Sequence, residues 1–123
     1  PLSIVPSKMG RELANFTEEQ IEEMGKINDT GKFLATMYKG YWERFYTDKR
    51  IATNDTCAVL MCRNPSLFKT EKISIDVDLN EVPGKTTIHK DENSKVELAV
   101  GVDKEKMHKF YFDAIRKLDR FKF

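Results

Sequence analysis

The residues best placed to do chemistry are Asn54 and Asp55, an amide and a carboxylate side by side just ahead of the apolar segment 56–62. Both residue types are preferred at helix N-termini, where a side-chain oxygen accepts an orphan backbone N–H, so capping is the first interpretation. An aromatic helix is predicted to end near Tyr46, and a short polar loop joins it to this pair. A carboxylate at the mouth of a helix, facing an aromatic cluster, is also a place where a ligand or an ion could bind.

The histidines and cysteines form no metal or redox motif. His89 lies in a predicted strand and His108 on the polar side of the last predicted helix, and neither has a Cys or His at ligand spacing. Cys57 and Cys62 are separated by about 500° of helix rotation, so their side chains point in different directions. We therefore expect two surface histidines and two buried free thiols, and the thiols suit a reducing, cytoplasmic location.

The first half of the chain is predicted to be mainly helical. Residues 2–5 form a β-prone run, and Thr17 with Gln20 forms a capping box that opens a helix ending near Asn28. A second helix opens at Thr30 and carries large apolar residues at helical spacing. These are Phe33, Leu34, Met37, Tyr38, Tyr41, Trp42 and Phe45. Such a stripe is typical of a core, and its aromatic C-terminal end also suits the wall of a pocket for a planar ligand.

The second half combines a short helix with alternating strands. Segment 56–62 is almost wholly apolar, and a helix that is apolar all round is expected to be the most buried one in the fold. Apolar and polar residues alternate over 73–79 and 96–100, with a short strand at 86–89 between them, which predicts a small antiparallel unit. Asp103 is predicted to cap a last helix with its own apolar stripe. The stripe consists of Met107, Phe110, Tyr111, Ala114, Ile115, Leu118 and Phe121.

Length and charge limit the classes of protein to consider. A chain of 123 residues is enough for a single domain, 1–123, with a real core. Its formal net charge of +1, from 21 basic and 20 acidic residues, gives no argument for binding nucleic acid or an anionic membrane. No stretch approaches the roughly 20 apolar residues of a membrane span. Because the first residue is Pro1, we expect a processed chain or an excerpt of a longer one.

A series of short motifs resembles one known family. From residue 54 the order is Asn-Asp-Thr-Cys-Ala-Val, then Asn-Pro-Ser-Leu-Phe, Ile-Ser-Ile-Asp-Val-Asp and Gly-Lys-Thr-Thr. This order resembles the C-terminal part of the inosine-uridine preferring nucleoside hydrolases, which typically read His-Asp-Pro-Cys-Ala-Val, Pro-(any)-Leu-Phe, Val-(any)-Val-Glu and Gly-(any)-Thr. The opening Pro-Leu-Ser-Ile-Val is similar to that family's Pro-Leu-Thr-Met-Val strand. The resemblance covers nearly all of the chain.

The resemblance implies a fold and a chemistry. The fold would be part of an α/β protein, strands flanked by helices, with a small antiparallel unit near residues 72–102 and the site at the C-terminal ends of the strands. The chemistry would be hydrolysis of the N-glycosidic bond of a ribonucleoside to ribose and base, a reaction of purine and pyrimidine salvage. In the family a calcium ion holds the attacking water and the ribose hydroxyls. Asp55 matches a metal ligand and Tyr46 a base-contacting residue, and the neighbouring Trp42 is a second candidate for substrate binding.

Two departures from the family pattern bear on activity. Asn54, the candidate catalytic residue, stands where the family has a His placed to protonate or polarise the leaving base, and an amide donates a hydrogen bond but delivers no proton. The chain also lacks an Asp-(any)-Asp-(three)-Asp-Asp cluster, which in the family supplies most calcium ligands and the base. We therefore expect the complete enzyme to bind calcium and a ribonucleoside, and this chain alone to be inactive and to bind no calcium tightly.

Two other interpretations stay open. The Asn54 departure and the missing acidic cluster favour a non-catalytic module that binds a nucleobase or another protein. The other alternative is a plain α+β interaction domain that is unrelated to the family. In that case the ordered series of motifs from Asn54 to Thr87 would be a coincidence. Sheet edges and apolar surface exposed in a partial fold favour pairing with other chains, so a homo-oligomer is expected.

Overall fold

The computed structural model describes residues 1–45 and 48–118 of the chain. Four strands form one sheet in these ranges: β1 (Leu2–Ile4), β2 (Phe68–Val77), β3 (Thr86–Lys90) and β4 (Val96–Val102). The longer helices are α1 (Glu18–Gly25), α2 (Asp29–Phe45), α3 (Asn54–Arg63) and α4 (Lys104–Lys117). A π-helical turn occupies Met9–Leu13, and a 3-10 turn occupies Pro65–Leu67. None of the described helices is both long and apolar enough to cross a membrane.

The sheet has the strand order β1-β4-β2-β3. β1 runs parallel to β4, whereas β2 runs antiparallel to both β4 and β3. The predicted α/β class and the antiparallel unit near residues 72–102 are therefore confirmed. β2 begins at Phe68, earlier than the alternation over 73–79 indicated. The register with β4 shifts between Lys69 and Thr70, which interrupts the period of two, so the sequence pattern did not reveal the first residues of the strand.

Local capping signals decide where two of the helices begin. The Thr17 N–H donates to Gln20 Oε1 at 2.9 Å and the Gln20 N–H donates to Thr17 Oγ1 at 3.4 Å, which is the predicted capping box. The carboxylate of Asp103 accepts the N–H of Lys106 at 3.1 Å and caps α4, as predicted. These caps fix the residues at which α1 and α4 begin.

The two faces of the sheet are covered to different extents. Ala99 and Phe68 belong to a first core that also contains Met9, Cys57, Met61, Leu67 and Met107. The opposite face is apolar as well, because the register sets Leu2 beside Val96 and Ile75 beside Ile88. Leu2 and Ile88 are about half exposed. The described helices therefore leave part of this second face open.

A second core lies among α1, α2 and α4 and is centred on Phe16. The Phe16 ring is fully buried, with its centroid 4.9 Å from that of Tyr111 and 4.8 Å from that of His108. Trp42 is 4% exposed and belongs to this core. α2 is therefore anchored to the rest of the chain through its inward face.

The prediction that the apolar residues of α2 all belong to the core is wrong, because some of them lie on the outward face of the helix. Leu34 and Tyr38 are partly buried, as expected for residues on the inward side. Four residues at intervals of four are 46–60% exposed. They are Phe33, Met37, Tyr41 and Phe45. The apolar residues span more of the helix circumference than one packed face can bury, so part of the stripe faces outward.

Helix α3 is not buried all round, so that prediction is wrong. Cys57 and Met61 are buried, but Val59 is 59% exposed and Cys62 is also exposed. The helix packs one side against the first core, and its other apolar side has no cover in the described part of the chain. The prediction of two buried thiols therefore holds for Cys57 alone.

His108 is buried rather than on the surface, which corrects the second histidine prediction. It is 6% exposed, and its Nδ1 lies 2.7 Å from Gln20 Nε2 while its Nε2 lies 3.3 Å from the Ala14 carbonyl. Because the Gln20 amide is a donor and a carbonyl is an acceptor, the ring is neutral, with its proton on Nε2. Burial is the main cause that lowers the pKa of His108. His89 is exposed, as predicted.

We expect the free energy of unfolding to fall as the pH drops from about 7 to 5. The unfolded histidine takes up a proton near pH 6.5, while the folded His108, with its lowered pKa, takes it up only at lower pH, so acid favours the unfolded state. Urea unfolding across this range measures the effect. His108→Gln should flatten the dependence, and the surface control His89→Gln should retain it. Equal slopes for the two variants would contradict the neutral, bridging role of His108.

Candidate functional site

Backbone contacts clamp the segment before α3 against the N-terminal part of the chain. Ile51 and Phe16 exchange two backbone hydrogen bonds of 2.9 Å each. The Thr53 N–H donates to the Gly10 carbonyl at 3.1 Å, and its hydroxyl donates to the Ala14 carbonyl at 2.9 Å. We call these contacts the 51–53 clamp. They fix the position at which α3 begins.

Asn54 and Asp55 form the first turn of α3 and do not cap it. Thr53 occupies the N-cap position, and its side chain makes no capping bond; its hydroxyl instead donates to the Ala14 carbonyl. The prediction that Asn54 or Asp55 is the cap is therefore wrong. A carboxylate in the first turn is still favoured by the helix dipole, so Asp55 suits its position electrostatically.

A cavity of about 710 Å³ opens beside the start of α3. Asn54 and Asp55 line it together with Arg11 from the π-helical turn. Tyr38 and Tyr41 of α2 supply an aromatic wall. The volume and the combination of an apolar wall with a few polar groups are typical of a small-molecule site. We call this space the α3 cavity.

The side-chain oxygen of Asn54 is buried against Gly10. Asn54 Oδ1 has no hydrogen-bond partner among the described residues, and a Cβ at position 10 would overlap it and lie 2.5 Å from the Asn54 backbone nitrogen. A buried acceptor without a donor costs about 1–3 kcal/mol. Gly10 therefore leaves the space that Asn54 needs, and the amide is held where it lines the α3 cavity at an energetic cost.

The structure brings together some of the predicted site residues and not others. Asn54 and Asp55 line the α3 cavity. Trp42, predicted to bind substrate, lies in the second core, and Tyr38 packs against that core while also lining the cavity. Tyr46, the other predicted substrate-binding residue, lies outside the described residues.

Arg11 and Gly10 are site residues that the sequence did not indicate. Both lie in a segment with mixed composition and no clear period, which the 51–53 clamp and the packing of Met9 in the first core bring to α3. The sequence did indicate Tyr38 and Tyr41, because the aromatic end of their helix suited the wall of a pocket. The spacing alone did not distinguish residues that line the cavity from residues of the core. Gly10 could have been found only from the packing around it.

A second space lies on the other side of the aromatic wall. The Tyr38 and Tyr111 hydroxyls are 2.8 Å apart, and burial with this hydrogen bond raises the pKa of Tyr111. Beyond them is a groove of about 590 Å³ between α3 and α4, lined by apolar residues that include Leu60 and Phe110. Asp55 and Thr56 line both spaces, so the cavity and the groove meet at the first turn of α3.

The described residues do not by themselves fit a calcium ion. They contain no group of three or more His, Cys, Asp or Glu side chains able to hold a metal. Asp55 is the one acidic residue among the described ones that line the α3 cavity, and it offers at most two of the 6–8 oxygens that calcium takes. A metal at this place would need most of its ligands from residues beyond the described part of the chain.

Comparison with known proteins supports the fold. No family model matches the sequence, and no curated protein matches it. Among solved structures, the chain is similar to an inosine-guanosine nucleoside hydrolase, with 18% identity over 100% of this chain and 40% of that one and a TM-score of 0.74. It is also similar to a purine-preferring ribonucleoside hydrolase from Gardnerella vaginalis, with 23% identity over 98% and 41% of the two chains and a TM-score of 0.73.

A plant nucleoside hydrolase gives the same result, with 20% identity over 84% of this chain and 37% of that one and a TM-score of 0.66. The chain thus spans about two-fifths of the length of these structures. At these identities the likeness establishes a shared fold: the chain has part of the nucleoside hydrolase fold, as its motifs predicted.

Gly10→Ala should destabilise the protein by about 1–3 kcal/mol, because overpacking has that typical cost and the new methyl group would overlap the Asn54 amide and meet backbone atoms. Gly40→Ala is the matched control. A Cβ at Gly40 meets nothing within 4 Å, and Ala is favoured over Gly in a helix by about 0.8–1 kcal/mol. Chemical denaturation at low protein concentration measures both changes. Opposite signs are expected, and a neutral Gly10→Ala would contradict the close packing of Asn54.

Proposed function

We propose that this chain is the base-binding part of a ribonucleoside hydrolase, with inosine and uridine as representative ligands. The observation that carries the proposal is the meeting of Asn54 and Asp55 with Tyr38 and Tyr41 around one cavity that is large enough for a nucleobase. A planar base has a large apolar surface for an aromatic wall to cover, and its polar edge needs a few fixed donors and acceptors. The nucleoside hydrolase fold of the chain points in the same direction.

Asn54 is proposed to hydrogen-bond the leaving base. An amide can orient the base and polarise it as a donor, but it has no proton to give at neutral pH. The unpaired Asn54 oxygen points to a donor that comes from a ligand, water or another part of the protein. Trp42 supports the wall from the core, while Tyr46 remains a proposed base contact outside the described residues.

Asp55 is proposed to bind the metal that such an enzyme uses, as one ligand among several. A bound calcium would supply positive charge for ribose hydroxyls and for a water nucleophile. Because the described residues do not fit the ion on their own, hydrolysis requires carboxylates from elsewhere in a longer chain or from a partner. We place the protein in the cytoplasm, where its two free thiols would stay reduced.

A non-catalytic nucleobase-binding module is the second candidate. Asn54 favours it, since the residue that would deliver a proton to the leaving base is replaced by one that only binds. The two candidates differ in one respect that can be measured. A hydrolase loses its metal-dependent turnover when Asp55 is removed, whereas a module binds the base without any turnover.

We expect this 123-residue chain to release no ribose from inosine or uridine with calcium present, and to show no calcium binding at micromolar concentration. The reason is the shortage of oxygen ligands around Asp55. A ribose-release assay and a calorimetric calcium titration test this, with Asp55→Ala as the matched control. Turnover, or micromolar binding that Asp55→Ala abolishes, would mean that this chain alone completes the site.

In an assembly or longer chain that does hydrolyse nucleosides, Asp55→Ala should abolish the calcium-dependent activity. Asn54→His should retain or raise it, most for purine nucleosides, because general acid catalysis is typically worth roughly 10²–10⁴-fold. The ratio of kcat/KM for inosine to that for uridine measures the effect. A loss of activity in Asn54→His at unchanged stability would contradict the proposed role of position 54 beside the leaving base.

A further inference from the structure

Two arginines line a small recess that adjoins the α3 cavity. The recess has a volume of about 290 Å³, and both Arg11 and Arg50 line it. Arg11 and Ala52 also line the α3 cavity, so the two spaces share part of a wall. We call the smaller space the arginine recess. A ligand in the α3 cavity can therefore extend toward two guanidinium groups.

Neither of these guanidinium groups takes part in an ion pair or a hydrogen bond within the described part of the chain. Two acidic residues, Glu12 and Asp48, line the recess as well, but each has a contact elsewhere. Glu12 Oε2 lies 3.8 Å from Lys8 Nζ. Asp48 Oδ1 accepts the backbone N–H of Arg50 at 3.3 Å. The N–H donors of both guanidinium groups therefore remain available to a ligand.

The 51–53 clamp joins the two short segments that carry these arginines. Arg50 comes directly before the clamp residue Ile51. Arg11 comes directly after Gly10, whose carbonyl accepts a clamp hydrogen bond of 3.1 Å. Two like charges held around one small space repel each other, and a bound anion relieves that repulsion. The clamp thus builds an anion subsite beside the α3 cavity.

A phosphate group suits this recess by charge and by geometry. A guanidinium presents its N–H donors in a planar fork that matches the oxygens of a phosphate, and a phosphate monoester carries a charge of about −1.5 to −2 at pH 7. In the proposed function the α3 cavity holds the base, and the ribose hydroxyls lie near the metal that Asp55 helps to bind. The 5′ carbon of the ribose is then the position left for a phosphate.

We propose that Arg11 and Arg50 bind the phosphate of a nucleoside 5′-monophosphate whose base lies in the α3 cavity. The inference rests on the proposed function and specifies its substrate class, which is a nucleotide instead of a free nucleoside. Arg11 lines both spaces, so it links the subsite for the base to the subsite for the phosphate. Arg50 lines the recess and not the α3 cavity, so it acts on the phosphate alone.

Isothermal titration calorimetry with inosine and with inosine 5′-monophosphate, at low ionic strength, tests the subsite. The nucleotide should bind at least about tenfold more tightly than inosine, because hydrogen bonds to charged groups have a worth of that order. Arg50→Gln and Arg11→Gln should each bring the ratio of the two Kd values toward one. Added salt should do the same, because it screens exposed charges. Arg63→Gln removes the same charge at an exposed position of α3 outside both spaces, and it should retain the ratio of the wild type.

The outcomes separate this inference from the proposed function. Equal affinities for inosine and its monophosphate, or an unchanged ratio in Arg50→Gln and Arg11→Gln, would overturn the phosphate subsite and leave base binding intact. Ribose 5-phosphate that binds as tightly as the nucleotide would also overturn it, since the recess would then hold an anion without regard to the base. If neither inosine nor the nucleotide binds, the proposed function fails together with this inference. Circular dichroism should show all three variants folded, because the substituted arginines are exposed.

Discussion

The candidate site depends on how the segment before α3 is held against the N-terminal part of the chain. The 51–53 clamp joins two stretches that are remote in sequence, through the paired backbone bonds of Ile51 with Phe16 and the two bonds of Thr53. Buried backbone groups must find partners, and here residues outside regular strands supply them. Because Phe16 is also the centre of the second core, the start of α3 is fixed relative to α2 and α4 as well.

The same constraint gives the start of α3 its chemical character. The Thr53 hydroxyl donates to the Ala14 carbonyl in the clamp, and it makes no capping bond to the helix that it precedes. Asn54 Oδ1 lies against Gly10 and has no partner among the described residues, and Asp55 lies where the α3 cavity meets the groove beyond Tyr38. Polar groups left without partners in an otherwise well-bonded fold are the expected mark of a place where something else binds.

The sequence predicted features that local rules control. The capping box of Thr17, the Asp103 cap and the antiparallel unit each follow from neighbours within a few residues, and all three are present. The ordered motifs from Asn54 onward also predicted the nucleoside hydrolase fold that the solved structures support.

The predictions that were wrong concern which residues are buried in the tertiary structure, and the local periodicity of a sequence does not determine this. His108 looked like a surface residue because its helix face is mostly polar, yet a partner far away in sequence, Gln20, provides its hydrogen bond in the core. Cys62 and the outward apolar residues of α2, such as Phe33 and Met37, were predicted to be buried because apolar residues usually are, yet they are exposed. Arg11 reaches the α3 cavity only through a turn whose sequence has no clear pattern.

NMR titration of the ¹⁵N-labelled protein with inosine and with uridine tests whether the α3 cavity binds the base of a ribonucleoside. We expect saturable shifts of the Asn54 side-chain amide and of the backbone N–H groups of Ala52 and Thr53, residues that line the α3 cavity and not the groove. The signals of Val59 and Ala114, in the groove between α3 and α4, should stay unchanged. Shifts confined to that groove or to the open face of the sheet, or no shifts up to the solubility limit of both nucleosides, would contradict it.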